Sequence, residues 1–204
     1  MADGPFDWVL FDQGGVLVRL RLAGVMQELA GIPSEDEFWS RWLSCQWVRR
    51  LERGGCSAEE FAAGIVADWG LPIGPDEMLD TFRLVPDGLY EGAAELVATT
   101  RRHSRVGLLS NSNVLHWELV RTRWDLGSRF DAVFLSHEVG YLKPDREIFE
   151  HVLSTLDVPA PRVAFIDDNQ VNVDAARAAG ITAARARGVE EARAALVELG
   201  ALPQ

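Results

Sequence analysis

The chain has 204 residues, of which 48% are hydrophobic, so it can build one substantial core. Its net charge of −11 would repel a polyanion, so nucleic acid is not an expected partner. No stretch approaches the roughly 20 consecutive apolar residues that cross a bilayer, and the first residues lack a signal-peptide pattern, so we expect no membrane partner and a cytoplasmic location.

The chain has two cysteines, Cys45 and Cys56, and neither lies in a metal-ligand spacing such as CxxC. A reduced protein is the plain expectation from this usage. A disulfide between the two stays open at this point.

The first predicted element is a buried strand over residues 8–11, which stops at Asp12 and is followed by Gly14 and Gly15. A short apolar run that ends in a tight glycine turn is typical of a buried strand. The carboxylate of Asp12 is therefore expected at the end of this strand.

From about Leu22 to Val85 the pattern is helical throughout. Ser34 and Ser57 are each followed three residues later by glutamate, which predicts helix starts with capping boxes. The run that follows Glu52 contains two glycines and predicts a helix end. We expect no strand in this segment.

After Pro86, helices alternate with short apolar strands, which predicts an α/β fold with a doubly wound parallel sheet covered on both faces. The predicted strands cover residues 105–109, 132–135, 163–166 and 181–184, and the predicted helices cover residues 90–102, 145–156, 169–179 and 189–199. The predicted domains are an α/β core, residues 1–20 and 86–204, and a small inserted helical cap, residues 21–85.

Polar residues follow the ends of these strands. They are Asp12, the pair Ser110-Asn111, the pair Asp167-Asp168, and Lys143 in a separate loop. Because ligands bind at the carboxyl ends of strands in an open parallel sheet, we expect these groups to meet at one edge. Carboxylates, a hydroxyl, backbone amides and a lysine together suit phosphoryl transfer.

Each residue also has a plainer explanation when it is taken alone. Asp12 could simply start a glycine turn, and Ser110 could cap a helix. The acidic pair at 167–168 could be stabilised by the dipole of the helix that follows it. Most lysines, such as Lys143, lie at the surface.

Four segments in order resemble the motifs of the haloacid dehalogenase-like hydrolase superfamily: FDQGGVL, LLSNSN, GYLKPD and FIDDNQVNVDAARAAG. The flanking stretches LSNSNVLHW and FLSHEVGYLKPDREIFEHVL are similar to a branch that holds small sugar-phosphate phosphatases and the N-terminal phosphatase domain of soluble epoxide hydrolases. The resemblance implies a Rossmann-like core with an inserted cap. It also implies a Mg²⁺-dependent phosphatase that acts on a small phosphate ester.

The resemblance implies catalytic and substrate-binding roles for four residues. Asp12 would be the nucleophile that forms an aspartyl-phosphate, and Lys143 would stabilise the charge on the phosphoryl group. Ser110 and Asn111 would hold phosphate oxygens through a hydroxyl and a backbone amide.

The metal site that the resemblance implies has three ligands. They are the carboxylates of Asp12 and Asp168 and the backbone carbonyl of Gly14. Asp167 and Asn172 would support these ligands.

Gly14 departs from the family pattern, because most phosphatases of this superfamily have a second aspartate there as general acid and base. Two alternatives therefore stay open. The protein could be a dehalogenase with the same nucleophile, which would need no Mg²⁺, although the acidic pair 167–168 argues against it. It could also bind phosphate esters without turnover. A third route is an acid supplied by the cap.

The cap offers several side chains that could face a substrate, and the tryptophans among them have a helical spacing that favours packing. These residues are Trp39, Arg41, Trp42, Trp47, Arg49, Arg50 and Glu52. The sequence determines neither the substrate nor the oligomeric state.

Overall fold

The computed structural model describes residues 4–203. The strands are β1 (Trp8–Phe11), β2 (Val18–Leu20), β3 (Pro86–Leu89), β4 (Arg105–Ser110), β5 (Ala132–Leu135), β6 (Val163–Asp167) and β7 (Thr182–Arg185). The helices are α1 (Leu22–Ala30), α2 (Glu35–Ser44), α3 (Gln46–Glu52), α4 (Ala58–Trp69), α5 (Pro75–Arg83), α6 (Ala93–Arg101), α7 (Val114–Trp124), α8 (Ser136–Val139), α9 (Arg146–Leu156), α10 (Gln170–Ala178) and α11 (Gly188–Glu198).

Five parallel strands form the main sheet, in the order β5-β4-β1-β6-β7. The chain order reverses at β1, which lies between β4 and β6, so this strand marks the point where ligands bind in such sheets. Phe11 is in register with Leu108 on one side and Ile166 on the other. The predicted doubly wound parallel sheet is confirmed, and the next residue, Asp12, lies between two strand ends.

Side chains of the central strands are buried on both faces of the sheet, as expected when helices cover both sides. Phe11 belongs to one hydrophobic cluster, with helices α6 and α11, and Leu10 belongs to the other, with α9 and α10. This alternation holds the backbone of β1 rigidly from above and below. The residue that follows β1 therefore has a fixed position.

Five helices, α1 to α5, lie between β2 and β3 and share a hydrophobic cluster of their own. Its centre is aromatic, with Trp42 in contact with Phe38, Phe61 and Phe82. The inserted helical segment is therefore present. The division at residues 20/21 and 85/86 stays a prediction.

The structure contains one sheet that the sequence did not predict, formed by the antiparallel pair β2 and β3. Both strands are short, and β3 consists of Pro86, Asp87, Gly88 and Leu89, most of which are poor strand formers. The pair lies where the chain leaves the main sheet for the helices and where it returns.

The helix predicted to start at Ser34 is divided into two, because Cys45 has an extended backbone and separates α2 from α3. Ser34 accepts a hydrogen bond from the Glu37 backbone at 3.2 Å, whereas Ser57 forms the complete capping box. Both cysteines are free thiols. Among residues 4–203, no helix is both long enough and apolar enough to cross a membrane.

Polar contacts join the helical segment to the residues around the main sheet, one of them at α5 and another at the end of α3. The His116 Nε2–H of α7 donates to the Phe82 carbonyl of α5 at 2.7 Å, and burial lowers the pKa of His116 to about 4 against that bond. At the other contact, Arg49 and Arg53 of the segment form ion pairs with Asp145. These contacts fix how the helices lie over the sheet.

Packing between α3 and α4 gives a test with a matched control. A methyl group at Gly64 would overlap the indole of Trp47, while a methyl group at Gly24 in α1 would meet nothing within 4 Å. We expect Gly64→Ala to lower the free energy of unfolding by about 1–3 kcal/mol through overpacking. Gly24→Ala should raise it by about 0.5–1 kcal/mol through helix propensity. Urea unfolding measures both, and a stabilised Gly64→Ala variant would contradict this packing.

Candidate active site

Three carboxylates meet at the carboxyl end of the central strands. Asp12 follows β1, Asp167 ends β6, and Asp168 comes next in the chain. One oxygen from each lies within 4.8 Å of the others. Asp12 and Asp167 are buried and Asp168 is half-buried, so the three negative charges repel one another with little screening by water.

Lys143, the only lysine of the chain, inserts its ammonium between two of these carboxylates. Its Nζ donates to Asp12 Oδ1 and to Asp167 Oδ2, each at 2.6 Å, and only 3% of the residue is exposed. Burial alone would lower the pKa of Lys143, but the two carboxylates outweigh burial and raise it. Lys143 is therefore a fixed positive charge, not the surface residue that most lysines are.

One ammonium does not balance three carboxylates. Burial raises the pKa of Asp12, and the charges of Asp167 and Asp168 add to this rise against the attraction of Lys143. Burial and Asp167 also raise the pKa of Asp168, against Lys143 and Arg187. Ionising all three acids together therefore needs a further positive charge.

Asp167 holds the lysine and is itself held by its neighbours. Its Oδ1 accepts from the Asn169 backbone at 2.8 Å, and both of its oxygens accept from Asn172 Nδ2, at 3.0 and 3.1 Å. Together with the bond from Lys143, these contacts use both oxygens of Asp167. Asn172 thus donates to Asp167 and forms no hydrogen bond with Asp168.

Asn111 fixes the backbone of Lys143 from the neighbouring strand end. Its Oδ1 accepts from the Lys143 backbone N–H at 2.9 Å, and its Nδ2 donates to the Lys143 carbonyl at 2.8 Å. The side chain of Asn111 is therefore committed to positioning the lysine. Its backbone N–H is the part left for a ligand.

Several polar groups at this edge have no partner within residues 4–203. The backbone N–H groups of Gln13, Gly14 and Asn111 donate no hydrogen bond, and neither does the hydroxyl of Ser110. The carbonyl of Gly14 accepts none. Backbone donors grouped in this way suit an anion, and a free carbonyl beside carboxylates suits a cation.

Gly14 and Gly15 differ in the structural constraint that acts against a side chain at each position. Gly15 has a φ of +75°, and a methyl group on it would overlap the carboxylate of Asp168. Gly14 has no positive φ, and a Cβ on it would lie 2.6 Å from Leu20 Cδ1. The space beside Gly14 is thus filled by an apolar side chain.

The donor set fits a small divalent cation that prefers oxygen. Asp12, Asp168 and the Gly14 carbonyl offer hard oxygen ligands, and the three acids minus one lysine leave an excess of negative charge. Magnesium is the metal that such ligands suit, and a soft metal would find no thiolate or imidazole among these ligands.

The cap candidates divide into packing residues and residues near the site. Trp42 is buried in the aromatic cluster, and the Trp47 indole donates to Asp68 at 2.7 Å.

The arginines near these tryptophans stack on aromatic rings. Arg41 stacks on Trp69 and Arg50 on Trp47. Trp39 donates to Glu35 within its own helix. Arg49 forms an ion pair with Asp145 in the loop of Lys143, and Glu52 ends the same helix.

The sequence did not predict the residues that fix the loops around the site. Ser136 Oγ accepts from the Ser112 backbone N–H at 3.0 Å and donates to its carbonyl at 3.1 Å, which ties the loop after β4 to α8. Asp145 forms ion pairs with Arg49 of α3 and with Arg53, which directly follows α3. The sequence carried no signal for either contact, because each joins residues far apart in the chain.

The buried charge cluster predicts a large stability effect. Lys143→Met should lower the free energy of unfolding in magnesium-free buffer by about 3–5 kcal/mol, because it leaves Asp12 and Asp167 buried without a cation. Arg146→Met removes an exposed pair with Glu150 and should change it by less than about 0.5 kcal/mol. A loss below about 1 kcal/mol for Lys143→Met would mean that the cluster is not held by this lysine.

Comparison with known proteins gives several relatives that span most of the chain. A sesquiterpene phosphatase from Aspergillus oryzae is 29% identical over 186 residues, which cover 86% of this chain and 87% of that protein. The D-ribitol-5-phosphate phosphatase of Bacteroides thetaiotaomicron is 24% identical over 180 residues, with 84% and 87% covered.

Solved structures agree with the fold. A haloacid dehalogenase family enzyme from Bacteroides thetaiotaomicron, also solved as a magnesium complex, has a TM-score of 0.73 and 25% identity, with 89% of this chain and 94% of that chain covered. The profile for haloacid dehalogenase-like hydrolases matches residues 6–180. This match spans far more than half of the chain, and the protein is therefore an enzyme of the haloacid dehalogenase-like hydrolase family.

Proposed function

We propose that the protein hydrolyses a small phosphate monoester through a covalent phosphate on Asp12, with Mg²⁺ as cofactor. The observation that carries this proposal is the position of Asp12. Its carboxylate accepts a hydrogen bond from the ammonium of Lys143 and has an oxygen within 4.8 Å of one of Asp168, and the backbone donors that follow it have no partner in the described chain. A nucleophile, a fixed cation and an anion cradle thus meet at one point.

The chain's own groups have separate tasks in this reaction. Lys143 binds Oδ1 of Asp12, which leaves Oδ2 to attack phosphorus. The free N–H groups of Gln13, Gly14 and Asn111, with the Ser110 hydroxyl, would hold the phosphoryl oxygens. Asn111 and Asp167 keep the lysine in place while charge builds on the phosphoryl group.

The proposed ligands of Mg²⁺ are the carboxylates of Asp12 and Asp168 and the carbonyl of Gly14. When bound, the ion supplies positive charge to the carboxylates and to the phosphate. Asn172 supports Asp167 in this arrangement, and through it the lysine. Support for magnesium comes from the acidic donor set and from the related enzyme that was solved as a magnesium complex.

The proposed substrate class is the phosphate ester of a sugar or polyol. A relative of similar length acts, by its name, on D-ribitol 5-phosphate. A dehalogenase with the same nucleophile would have no use for Asp168, whose approach to the site requires a glycine at position 15. A protein that only binds phosphate esters would need no nucleophilic carboxylate beside the lysine and the backbone donors.

Turnover with and without metal tests this function. Wild-type enzyme should release phosphate from sugar and polyol phosphates with Mg²⁺ and should stop with a chelator. Asp12→Asn keeps the shape but removes the attacking anion, so the rate should fall about 10³-fold or more. Asp168→Asn should lose the magnesium dependence together with most of the activity.

The control is Asp76→Asn, at an exposed position in α5 away from the site, which should keep full activity. Circular dichroism should show that all three variants are folded. Phosphate release by Asp12→Asn at the wild-type rate would rule out the covalent route. Halide release from 2-haloacids without phosphate release would favour the dehalogenase instead.

A further inference from the structure

The residues that directly follow Asp12 include no side chain that could protonate a leaving alcohol. The position two residues after the nucleophile is Gly14, and the space that its side chain would enter is filled by Leu20. An alkoxide leaves slowly unless it receives a proton as the P–O bond breaks. Efficient hydrolysis of an alcohol ester therefore needs an acid from another part of the chain.

The other carboxylates near the lysine are already used. Asp167 accepts from Lys143, Asn169 and Asn172, so no oxygen is left to exchange a proton. Asp145 is held in ion pairs by Arg49 of α3 and by Arg53, which directly follows α3. Asp12 and Asp168 are the proposed nucleophile and metal ligand. Glu52, the last residue of α3, is a further carboxyl whose pKa is affected by the charge of Lys143.

Contacts of the residues before and after Glu52 attach the end of α3 to the loop that carries Lys143. Arg49 and Arg53 lie on the same face of the helix, three residues before and one after, and both pair with Asp145, which follows Lys143 by two residues. Gly54 lies so close to the carbonyl of His137 that a methyl group there would overlap it. The end of α3 is thus docked on the loop that carries the lysine.

The hydrogen bonding and the pKa of the Glu52 carboxyl suit proton exchange. Glu52 is half-buried, and no residue from 4 to 203 donates a hydrogen bond to its carboxyl group. Burial raises the pKa of Glu52 to about 7, against the opposing charges of Lys143 and Arg49. Further ionisable groups around this end of α3 are Arg50, Arg53, Cys56, His137 and Asp145.

We propose that Glu52 is the general acid and base of the reaction, supplied by the helical segment in place of the side chain that Gly14 lacks. This inference rests on the proposed phosphatase function. It makes docking of α3 on the Lys143 loop a requirement for turnover, because the acid and the nucleophile lie on different parts of the chain.

The proton balance of the two steps is simple. In the first, Asp12 Oδ2 bonds to phosphorus, the ester P–O bond breaks, and the leaving oxygen takes the proton of the Glu52 carboxyl. In the second, ionised Glu52 takes a proton from water as that water bonds to phosphorus. The acyl-phosphate bond breaks, inorganic phosphate leaves, and Glu52 is protonated again.

Glu52→Gln keeps the size of the side chain and removes its ionisable proton. Turnover of an alkyl phosphate should fall about 10²–10³-fold. With p-nitrophenyl phosphate, the variant should still give a rapid burst of about one nitrophenolate per enzyme, because this leaving group needs no proton. Slow steady-state release should follow, since water is no longer deprotonated.

The pH profile separates a chemical role from a structural one. For the wild type, kcat/KM on the alkyl ester should fall as pH rises through about 7, because the acid form is lost. Glu52→Gln should lose that ionisation. Glu59→Gln, at an exposed position in the first turn of α4, is the matched control and should keep both rate and profile.

Three results would overturn the inference, and they can be distinguished from one another. If the wild type is an active phosphatase and Glu52→Gln keeps its alkyl-ester rate and its pH profile, the role of Glu52 is wrong and the proposed function stands. If the wild type hydrolyses no phosphate ester with Mg²⁺, the proposed function and the role of Glu52 are both wrong. A variant with an unchanged melting temperature but no burst would place Glu52 in binding, against an acid–base role.

Discussion

The arrangement of the site depends on one constraint, which is that three carboxylates share a buried space with a single ammonium. Lys143 bridges Asp12 and Asp167, and Asn111 holds the backbone of the lysine in turn. A lysine in this place is stable only because the acids around it outweigh the cost of its burial. The residual negative charge makes the site a receptor for a cation, and the free backbone donors make it a receptor for an anion.

Much of this could be predicted from the sequence, because parallel strands place their carboxyl ends together. Short apolar runs that stop at Asp12, Ser110 and Asp167 were enough to bring these residues to one edge. The motif order added Lys143, whose loop lies outside the strands. The ends of the strands were predicted to within one or two residues, since buried runs have sharp polar boundaries.

Other features depend on contacts between distant residues, which a single sequence does not reveal. The β2–β3 pair is made by residues that are poor strand formers, and its pairing satisfies the backbone where the chain leaves and re-enters the sheet. The role of Asn111 as a clamp for the lysine was also not predictable. Glu52 was one of seven cap candidates, and only the docking of α3 through Arg49 and Arg53 distinguishes it.

The central claim is that Asp12 carries the phosphoryl group during turnover. The direct measurement is rapid acid quenching of the enzyme with an excess of substrate and Mg²⁺, followed by mass spectrometry of the peptide that contains Asp12. The account predicts one added phosphoryl group on Asp12, which is absent when substrate or metal is left out. Steady phosphate release with no phosphoryl group on Asp12 at any quench time, or with the group on another residue, would contradict it.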